Sequence, residues 1–347
     1  MPKEWVNGND YKSFAELMTL VKVNDNTYES ASPAYSPGGF TRAYGGHVYC
    51  QAPWAAAHTV KKGFVLHSVT GWFTLQGDTT KPFRYRVEII REGGGFCQRQ
   101  VYVTQHPTKE VCFTCICSFK RPEPSYAERQ LKVDIQEKYA SVLRGRKIED
   151  WPECPGVDSP YWWAVEQKRG FVDPFPGLNM RKVGMAAYNK PRPTLERKQL
   201  QYYQVIGDMP DDANLHACAH LYASDRNGLF PIPNFLDIGD NYTAIASLNH
   251  TVIFHVEGQD LSLTAENGEK HWFVHEIAID KIGHGRALHV GKVWREDGLH
   301  VATCFQDGML RMPKPETGGG RGRDLSMRVS AQSAFAGGVK KKGEEKL

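Results

Sequence analysis

The strongest constraint on the fold of this chain is a pattern that occurs twice, in which an apolar helical segment is accompanied by long strand segments. The helical segments are residues 42–62 and 211–225, and the strand segments around them are rich in β-branched and aromatic residues. The predicted strands of the first copy are 64–76, 81–94, 95–106 and 116–120, and those of the second are 198–207, 247–256, 271–279, 287–295 and 299–312. The repeat therefore predicts a duplicated α+β unit.

Neither helical segment has a wide charged face, so each is predicted to be buried on several sides. Pro53 lies inside the first segment and is predicted to bend or shorten that helix. A long helix wrapped by a curved antiparallel sheet, twice in one chain, is the architecture called a double hotdog. We expect this fold.

Composition and turn residues predict four parts of the chain. These are an N-terminal hotdog at 13–122, a linker at 123–165, a C-terminal hotdog with the catalytic set at 166–312, and a disordered tail at 313–347. A leading helix is predicted at 13–23, with Ser13 as its N-cap and Glu16 as the capping-box partner.

The charge balance and the apolar runs exclude several classes of protein. The net charge of +4 is mild for 347 residues, so it gives no support for nucleic-acid binding. No apolar run approaches the roughly 18 residues that span a bilayer, and the first residues lack the apolar core of a secretory signal. We therefore expect a protein without a membrane span that is not secreted. The final residues EEKL share only the last two positions with the peroxisomal SKL-type tripeptide, so we expect a location in the cytoplasm or the peroxisome. Its eight cysteines are predicted to be reduced core residues.

Several blocks of residues occur in a fixed order along both copies. The first copy contains YGGHVYCQAPWAAA, LHSVTGWFTLQGDTTKPFRYRVEIIREGGGF and SFKRPE, and the second contains HLYASDRNGLFP, IASLNHTVIFH and VATCFQDGMLR. Together they resemble the TesB-type acyl-CoA thioesterase II family from about residue 13 to about residue 312. The resemblance implies a double hotdog that hydrolyses fatty acyl-CoA to free fatty acid and CoA.

The resemblance also implies a catalytic set. The catalytic Asp of the family falls on Asp225 of YASD, its hydroxyl residue on Ser247 of IASLNH, and its Gln on Gln306 of FQDG. The hydroxyl position is often Thr in this family, so Ser247 keeps the oxygen and lacks a methyl group. Asn249 stands where bacterial relatives tend to have Asp.

These three residue types suit thioester hydrolysis. A thioester carbonyl is already electrophilic, so the enzyme chiefly needs a positioned water and a way to stabilise the oxyanion. The Asp225 carboxylate can accept the water proton, while Ser247 and Gln306 can hold the water by hydrogen bonds. We therefore do not predict that Ser247 is a nucleophile. By its local sequence alone, Asp225 also fits an ordinary polar helix end.

Substrate contacts are predicted in the first copy. Gly46 lies at the start of the first helical segment, where free N–H groups suit an anion, and His47 follows it. Trp72 on the first strand is predicted to line an acyl tunnel together with Phe73. The alternatives are a plain strand-to-helix turn and ordinary core aromatics.

Other patterns only imitate metal or phosphate sites. His216 and His220 have zinc-ligand spacing but lack the glutamate of HExxH and a third ligand. Cys112 is predicted to face away from Cys115 and Cys117 on a strand. The run EGGGF lacks the Lys of a phosphate-binding loop, so it is predicted to be a turn. We expect no metal and no bound organic cofactor.

Two other functions remain as alternatives. A hotdog hydratase would need an Asp and His pair on one short segment, and none accompanies Asp225. A catalytically silent acyl-CoA binding or regulatory module would lack the Asp, Ser and Gln set. Because only the second copy has that set, the first is predicted to contribute walls and no second active centre. A homo-oligomer is also expected, since hotdog units tend to pair through their sheets.

Overall fold

The computed structural model describes residues 11–39, 41–170 and 172–313. Over these residues the chain forms one twelve-stranded sheet in which all neighbouring strands are antiparallel. The strands are β1 (Leu20–Asn24), β2 (Thr27–Ser30), β3 (Val65–Phe73), β4 (Phe83–Arg91), β5 (Phe96–Gln105), β6 (Val111–Lys120), β7 (Leu178–Lys182), β8 (Gln199–Val205), β9 (Ala244–Phe254), β10 (Phe273–Gly283), β11 (Arg286–Arg295) and β12 (His300–Arg311).

The described helices differ greatly in length. They are α1 (Phe14–Leu17), α2 (Gly45–Ala57), α3 (Ile135–Lys138), α4 (Ala140–Leu143), α5 (Pro160–Arg169), α6 (Ala186–Asn189), α7 (Ala213–Ser224) and α8 (Pro231–Phe235). Within the part of the chain that the structure describes, no helix has the length and apolar character needed to cross a membrane.

The strand order shows the predicted duplication directly. The order across the sheet is β1-β2-β4-β5-β6-β3 and then β9-β12-β11-β10-β8-β7. The second half repeats the first in reverse, so the two halves meet where β3 pairs with β9. Such an order relates the halves by an approximate two-fold axis. The duplicated α+β architecture is therefore confirmed.

The two long helices share one core with both halves of the sheet. Both α2 and α7 bury residues on every side, as their lack of a charged face predicted. Side chains of both helices belong to a single continuous apolar cluster with strands from the two halves. The sheet therefore holds the N-terminus of α2 and the C-terminus of α7 in fixed positions.

Some predicted helix bounds are wrong. The leading helix ends at Leu17, because the residues from Leu20 onward pair with β2 as strand β1. Its predicted capping box is present: Ser13 Oγ accepts from Glu16 N, and Ser13 N donates to the Glu16 carboxylate at 3.0 Å. Helix α2 begins at Gly45 and ends at Ala57, inside the predicted segment 42–62, and Pro53, which was predicted to bend or shorten it, lies within the helix.

Several short elements have no counterpart among the sequence predictions. These are β2, β7, α5, α6 and α8. β2 pairs with its neighbour β1 and with the more distant β4, and all of these elements are too short to show a clear periodicity of their own. The domain boundaries predicted at 13–122, 123–165 and 166–312 stay predictions, and the predicted tail beyond residue 313 lies outside the described residues.

Candidate active site

Asp225 lies where helix α7 ends. Asp212 caps the start of the helix by accepting from Asn214 N and Leu215 N at 2.9 and 3.3 Å, and Asp225 is its C-cap residue. After it, Asn227 has φ +54°, a left-handed conformation that Asn tolerates better than most residues. The chain therefore turns sharply just past the carboxylate.

Arg226 and Asn227 anchor this turn to a distant segment. The guanidinium of Arg226 donates to the carbonyls of Pro155 and Gly156 at 2.7 and 3.1 Å, and the Asn227 side-chain amide donates to Pro155 at 3.0 Å. Arg226 is 1% exposed, and its guanidinium lies over the ring of Phe175 at 4.3 Å. These contacts fix the backbone on both sides of Asp225.

Asp225, Ser247 and Gln306 meet at a single nitrogen atom. Nε2 of Gln306 donates to Oδ1 of Asp225 at 2.6 Å and to Oγ of Ser247 at 2.8 Å. Gln306 is fully buried, the Asp225 side chain is 7% exposed, and Ser247 is half-buried. The three side chains from α7, β9 and β12 therefore form one polar cluster that reaches solvent on the side of Ser247.

A β-bulge gives Ser247 its direction. On β9 the inward-facing His250 lies opposite Gln306, but the register shifts by one residue before Ser247, which lies opposite Gly308. Alternation counted from His250 without a shift would direct Leu248 inward and Ser247 outward. The extra residue reverses this, so the hydroxyl reaches Gln306.

The N-terminus of α2 also contacts the carboxylate. The Tyr44 hydroxyl donates to the carbonyl of Tyr222 at 2.5 Å, which joins the start of α2 to the end of α7. The backbone N–H of Gly46 donates to Asp225. A helix N-terminus is a favourable environment for an anion. The anion at this helix end is therefore the Asp225 carboxylate of the protein itself.

Burial controls the ionisation of Asp225. Loss of solvation raises the pKa of this carboxyl from 3.8 to about 7. Hydrogen bonds from Gln306, Gly46 and Ser247 and the positive charge of Arg226 lower the pKa without overcoming burial. A carboxylate with a pKa near neutrality can accept a proton from water.

Neutral His250 is a further neighbour of the carboxylate. Its Nδ1 lies 3.8 Å from Oδ1 of Asp225, and burial holds the pKa of His250 well below its usual range. The Ser224 hydroxyl donates to the Leu221 carbonyl at 2.8 Å, so Ser224 Oγ accepts from Nε2 of His250 at 3.1 Å. The Nδ1 atom that faces Asp225 is therefore unprotonated. It offers no hydrogen to the carboxylate, so it does not stabilise the ionised form of Asp225.

The predicted substrate residues are not all at this cluster. Trp72 is 42% exposed and lies on the outer face of β3, whereas Phe73 faces inward, about 3 Å from where a Cβ on Gly45 would lie. The structure thus brings Phe73, and not Trp72, toward the site. His47 is fully buried with its ring 5.8 Å from that of Phe83, and burial lowers its pKa to about 4.

The histidines and cysteines whose spacing imitates metal sites are buried core residues. The ring of His220 hydrogen bonds Tyr203 Oη and Leu261 O, and Nδ1 of His216 accepts from Leu263 N. The eight cysteines are free and buried, as predicted, and EGGGF forms the turn between β4 and β5. The described residues contain no cluster of His, Cys, Asp and Glu that could hold a metal ion.

Comparison with known families assigns each half of the chain to a domain of the same family. Residues 32–120 match the family model described as "Acyl-CoA thioesterase N-terminal domain", and residues 152–310 match "Acyl-CoA thioesterase C-terminal domain". The chain belongs to the TesB-type acyl-CoA thioesterase family. As a member of this thioesterase family it is a hydrolase of thioesters, as the sequence predicted.

A thioesterase relative is similar to this chain in sequence, and two solved structures are similar to it in fold. The sequence is 29% identical over 283 residues to acyl-coenzyme A thioesterase 8 of Mus musculus, which covers 79% of this chain and 82% of that protein. The crystal structure of acyl-CoA thioesterase II TesB2 from Mycobacterium marinum is similar with a TM-score of 0.63 at 24% identity, covering 87% and 99% of the two chains. A hot dog fold protein from Alicyclobacillus acidocaldarius gives 0.64 at 15% identity, covering 86% and 98%. The double-hotdog fold is confirmed.

Sequence reasoning missed two histidines around the thioesterase site. His250 lies 3.8 Å from Asp225 and His289 lies 3.2 Å from Gln306, and each is a single residue on an amphipathic strand. The available signal was the inward-facing alternation on their strands. That signal identifies core residues in general and does not separate these from the rest.

Proposed function

We propose that this chain hydrolyses fatty acyl-CoA, with Asp225 as the general base that activates water. One observation carries the assignment of roles: a single amide nitrogen of Gln306 hydrogen bonds both the Asp225 carboxylate and the Ser247 hydroxyl. The raised pKa of Asp225, about 7, supports a role in proton transfer.

The proposed reaction follows from the hydrogen-bonding capacity of the three groups. Both hydrogens of Gln306 Nε2 are used, so Ser247 Oγ accepts one of them. The hydroxyl hydrogen that Ser247 donates to Asp225 in the free protein can then turn to the water or to the developing oxyanion. The water oxygen bonds to the thioester carbonyl carbon while Asp225 takes the water proton. The C–S bond then breaks, and CoA leaves as a thiolate that receives the proton. No covalent intermediate and no cofactor is needed.

A substitution series tests these roles. In a thiol-release assay over several acyl-CoA chain lengths, Asp225→Asn is expected to lose at least about 100-fold in kcat, because general-base catalysis contributes about that much. Ser247→Ala and Gln306→Ala should each lose less. Asp297→Asn, in the turn between β11 and β12, is the matched control because its side chain is 56% exposed, and it should retain wild-type turnover. Wild-type rates in Asp225→Asn would reject the general-base assignment.

The alternative of a non-catalytic acyl-CoA binding module is less favoured. The family models and the intact polar cluster both favour hydrolysis. Acyl-CoA binding without thiol release at any chain length would favour the binding module instead.

We propose a homo-oligomer associating through the sheets, a location in the cytoplasm or the peroxisome, and functional halves at 13–122 and 166–312 joined by 123–165.

Gly46, His47 and Trp72 were predicted to contact substrate. Of these, only Gly46 contacts the catalytic cluster, through Asp225, so we propose Phe73 as the acyl-facing aromatic in place of Trp72.

A further inference from the structure

A second histidine, His289, contacts the far side of the Gln306 side chain. His289 lies on β11 directly opposite Gln306 on β12, and both side chains are fully buried. Nδ1 of His289 lies 3.2 Å from Oε1 of Gln306. The contact is on the side of the amide away from Asp225 and Ser247.

The surrounding oxygens define which ring nitrogen carries the proton. Nδ1 of His289 faces Oε1 of Gln306, and the ring also hydrogen bonds the backbone of Gly228. Burial lowers the pKa of His289 to about 4, although both contacts, as hydrogen-bond acceptors, act to raise it. The ring is therefore neutral at neutral pH, with a hydrogen on Nδ1 that is donated to Gln306.

This donation distinguishes the two ends of the Gln306 amide. If the amide were rotated by 180°, its NH2 group would meet the Nδ1–H of His289, donor against donor. Its oxygen would lie about where Nε2 now lies, next to Asp225 Oδ1 and Ser247 Oγ. An ionised Asp225 would disfavour that arrangement, but a protonated Asp225 could donate to the rotated oxygen. Since Asp225 exists in both forms near neutral pH, it does not fix the amide by itself.

Two glycines make room for this arrangement. A Cβ on Gly228 would lie 2.8 Å from Oε1 of Gln306 and 3.1 Å from Cε1 of His289. A Cβ on Gly291 would lie 3.0 Å from Nε2 of His289 and 2.2 Å from Nε2 of His275. The amide and the imidazole therefore lie against the backbone at Gly228, and the other side of the imidazole lies against the backbone at Gly291.

We propose that His289 is a positioning residue for hydrolysis, which holds the Gln306 amide with its nitrogen toward Asp225 and Ser247. The proposal rests on the proposed function, because it acts only if Gln306 takes part in turnover. His289 itself lies behind Gln306 and does not contact the reacting atoms.

The test compares two substitutions of His289 that differ in one hydrogen bond. His289→Leu removes the donor, and His289→Asn retains a side-chain N–H near the position of Nδ1. We expect His289→Leu to lower kcat about 10- to 100-fold with little change in KM, since small misplacement of a catalytic group has effects of that size. His289→Asn should stay within about threefold of wild type, because the donor is restored. His275→Leu, a fully buried histidine whose ring lies 5.6 Å away, is the matched control and should keep wild-type kcat.

A double-substitution cycle separates positioning from general destabilisation. In a Gln306→Ala background, His289→Leu should change kcat by less than about twofold, because the residue through which it acts is gone. If the loss of kcat in the double variant equals the product of the losses in the two single variants, the proposal is overturned. Wild-type kcat in His289→Leu would overturn it as well. If His289→Leu does not fold, a loss of more than about tenfold in a folded His289→Asn would overturn it equally.

Failure of the proposed function gives a different result. If Gln306→Ala and Asp225→Asn both turn over at wild-type rates, the catalytic assignment and the His289 proposal fall together. If these two are impaired while His289→Leu is not, only the His289 proposal is rejected.

Discussion

The Asp225 carboxylate is placed where ionisation costs stability. Its folded-state pKa of about 7 lies above the value of about 3.9 for an exposed Asp. Such a group contributes stability while it is protonated, fully so below its unfolded pKa, and that contribution is lost as the pH rises through about 7. The same ionisation produces the proposed base, so kcat/KM should rise over the pH range in which stability falls.

Asp225→Asn should reveal this cost as a pH-dependent gain in stability. The amide has no charge to desolvate, so the stability advantage of the variant over wild type should grow by on the order of 2–3 kcal/mol between pH 5 and pH 8. Denaturant unfolding at both pH values measures it. If the stability difference between the variant and wild type is the same at pH 5 and pH 8, burial does not raise the pKa of Asp225 in the folded protein. The kcat/KM of wild type, measured in parallel, should fall as the pH drops below about 7.

The segment that joins α7 to α8 shapes the site as an element. It carries Asp225, and its Gly228 backbone lies against the Gln306 amide, where a Cβ would be only 2.8 Å from Oε1. That oxygen is buried and hydrogen bonded, so it has little freedom to move away. The backbone of this segment thus limits the Gln306 side chain to one position.

Gly228→Ala should therefore act on catalysis more than on folding. The added methyl group displaces the Gln306 amide, and kcat is expected to fall about tenfold or more, with a loss of about 1–3 kcal/mol in stability from overpacking. Gly94→Ala, in the turn between β4 and β5, has no neighbour within 4 Å of the added Cβ and is the control. Steady-state kinetics and thermal melts of both variants measure these effects. Unchanged kcat in a folded Gly228→Ala protein would contradict the expectation.

At the scale of the whole molecule, two similar halves carry different residues at equivalent positions. The halves meet at the Thr70–Thr251 pair of β3 and β9, and counting outward from that pair relates each residue to its counterpart. Gln306, opposite His250, then corresponds to Cys117, which lies opposite Val69. Asp225 is the C-cap residue of α7, and His58 is the C-cap residue of α2. At these two equivalent positions the first half therefore has neither the carboxylate nor the amide.

The duplicated fold should accordingly contain one hydrolytic centre per chain. Titration with a non-hydrolysable acyl-CoA analogue is expected to show one catalytically relevant site, and Asp225→Asn should remove nearly all turnover. Two equal hydrolytic sites, or half the activity remaining in Asp225→Asn, would contradict this. Isothermal titration with active-site counting distinguishes these results.

The sequence by itself determined the repeated architecture and the identity of the catalytic candidates. Periodicity located α2, α7 and the long strands, because burial against a shared core imposes spacing that the residues themselves display. The blocks that resemble the thioesterase family supplied Asp225, Ser247 and Gln306. Local sequence also gave the cap of α1, since Ser13 and Glu16 are three residues apart.

Only the tertiary structure decided which side chains meet. A register shift between Leu66 and Ser68 of β3 reverses the alternation, so Phe73 faces inward and Trp72 outward. A bulge on β9 turns Ser247 toward Gln306, and the pairing of β11 with β12 places His289 behind it. Strand register and bulges depend on contacts between segments far apart in the chain, so no local pattern specifies them.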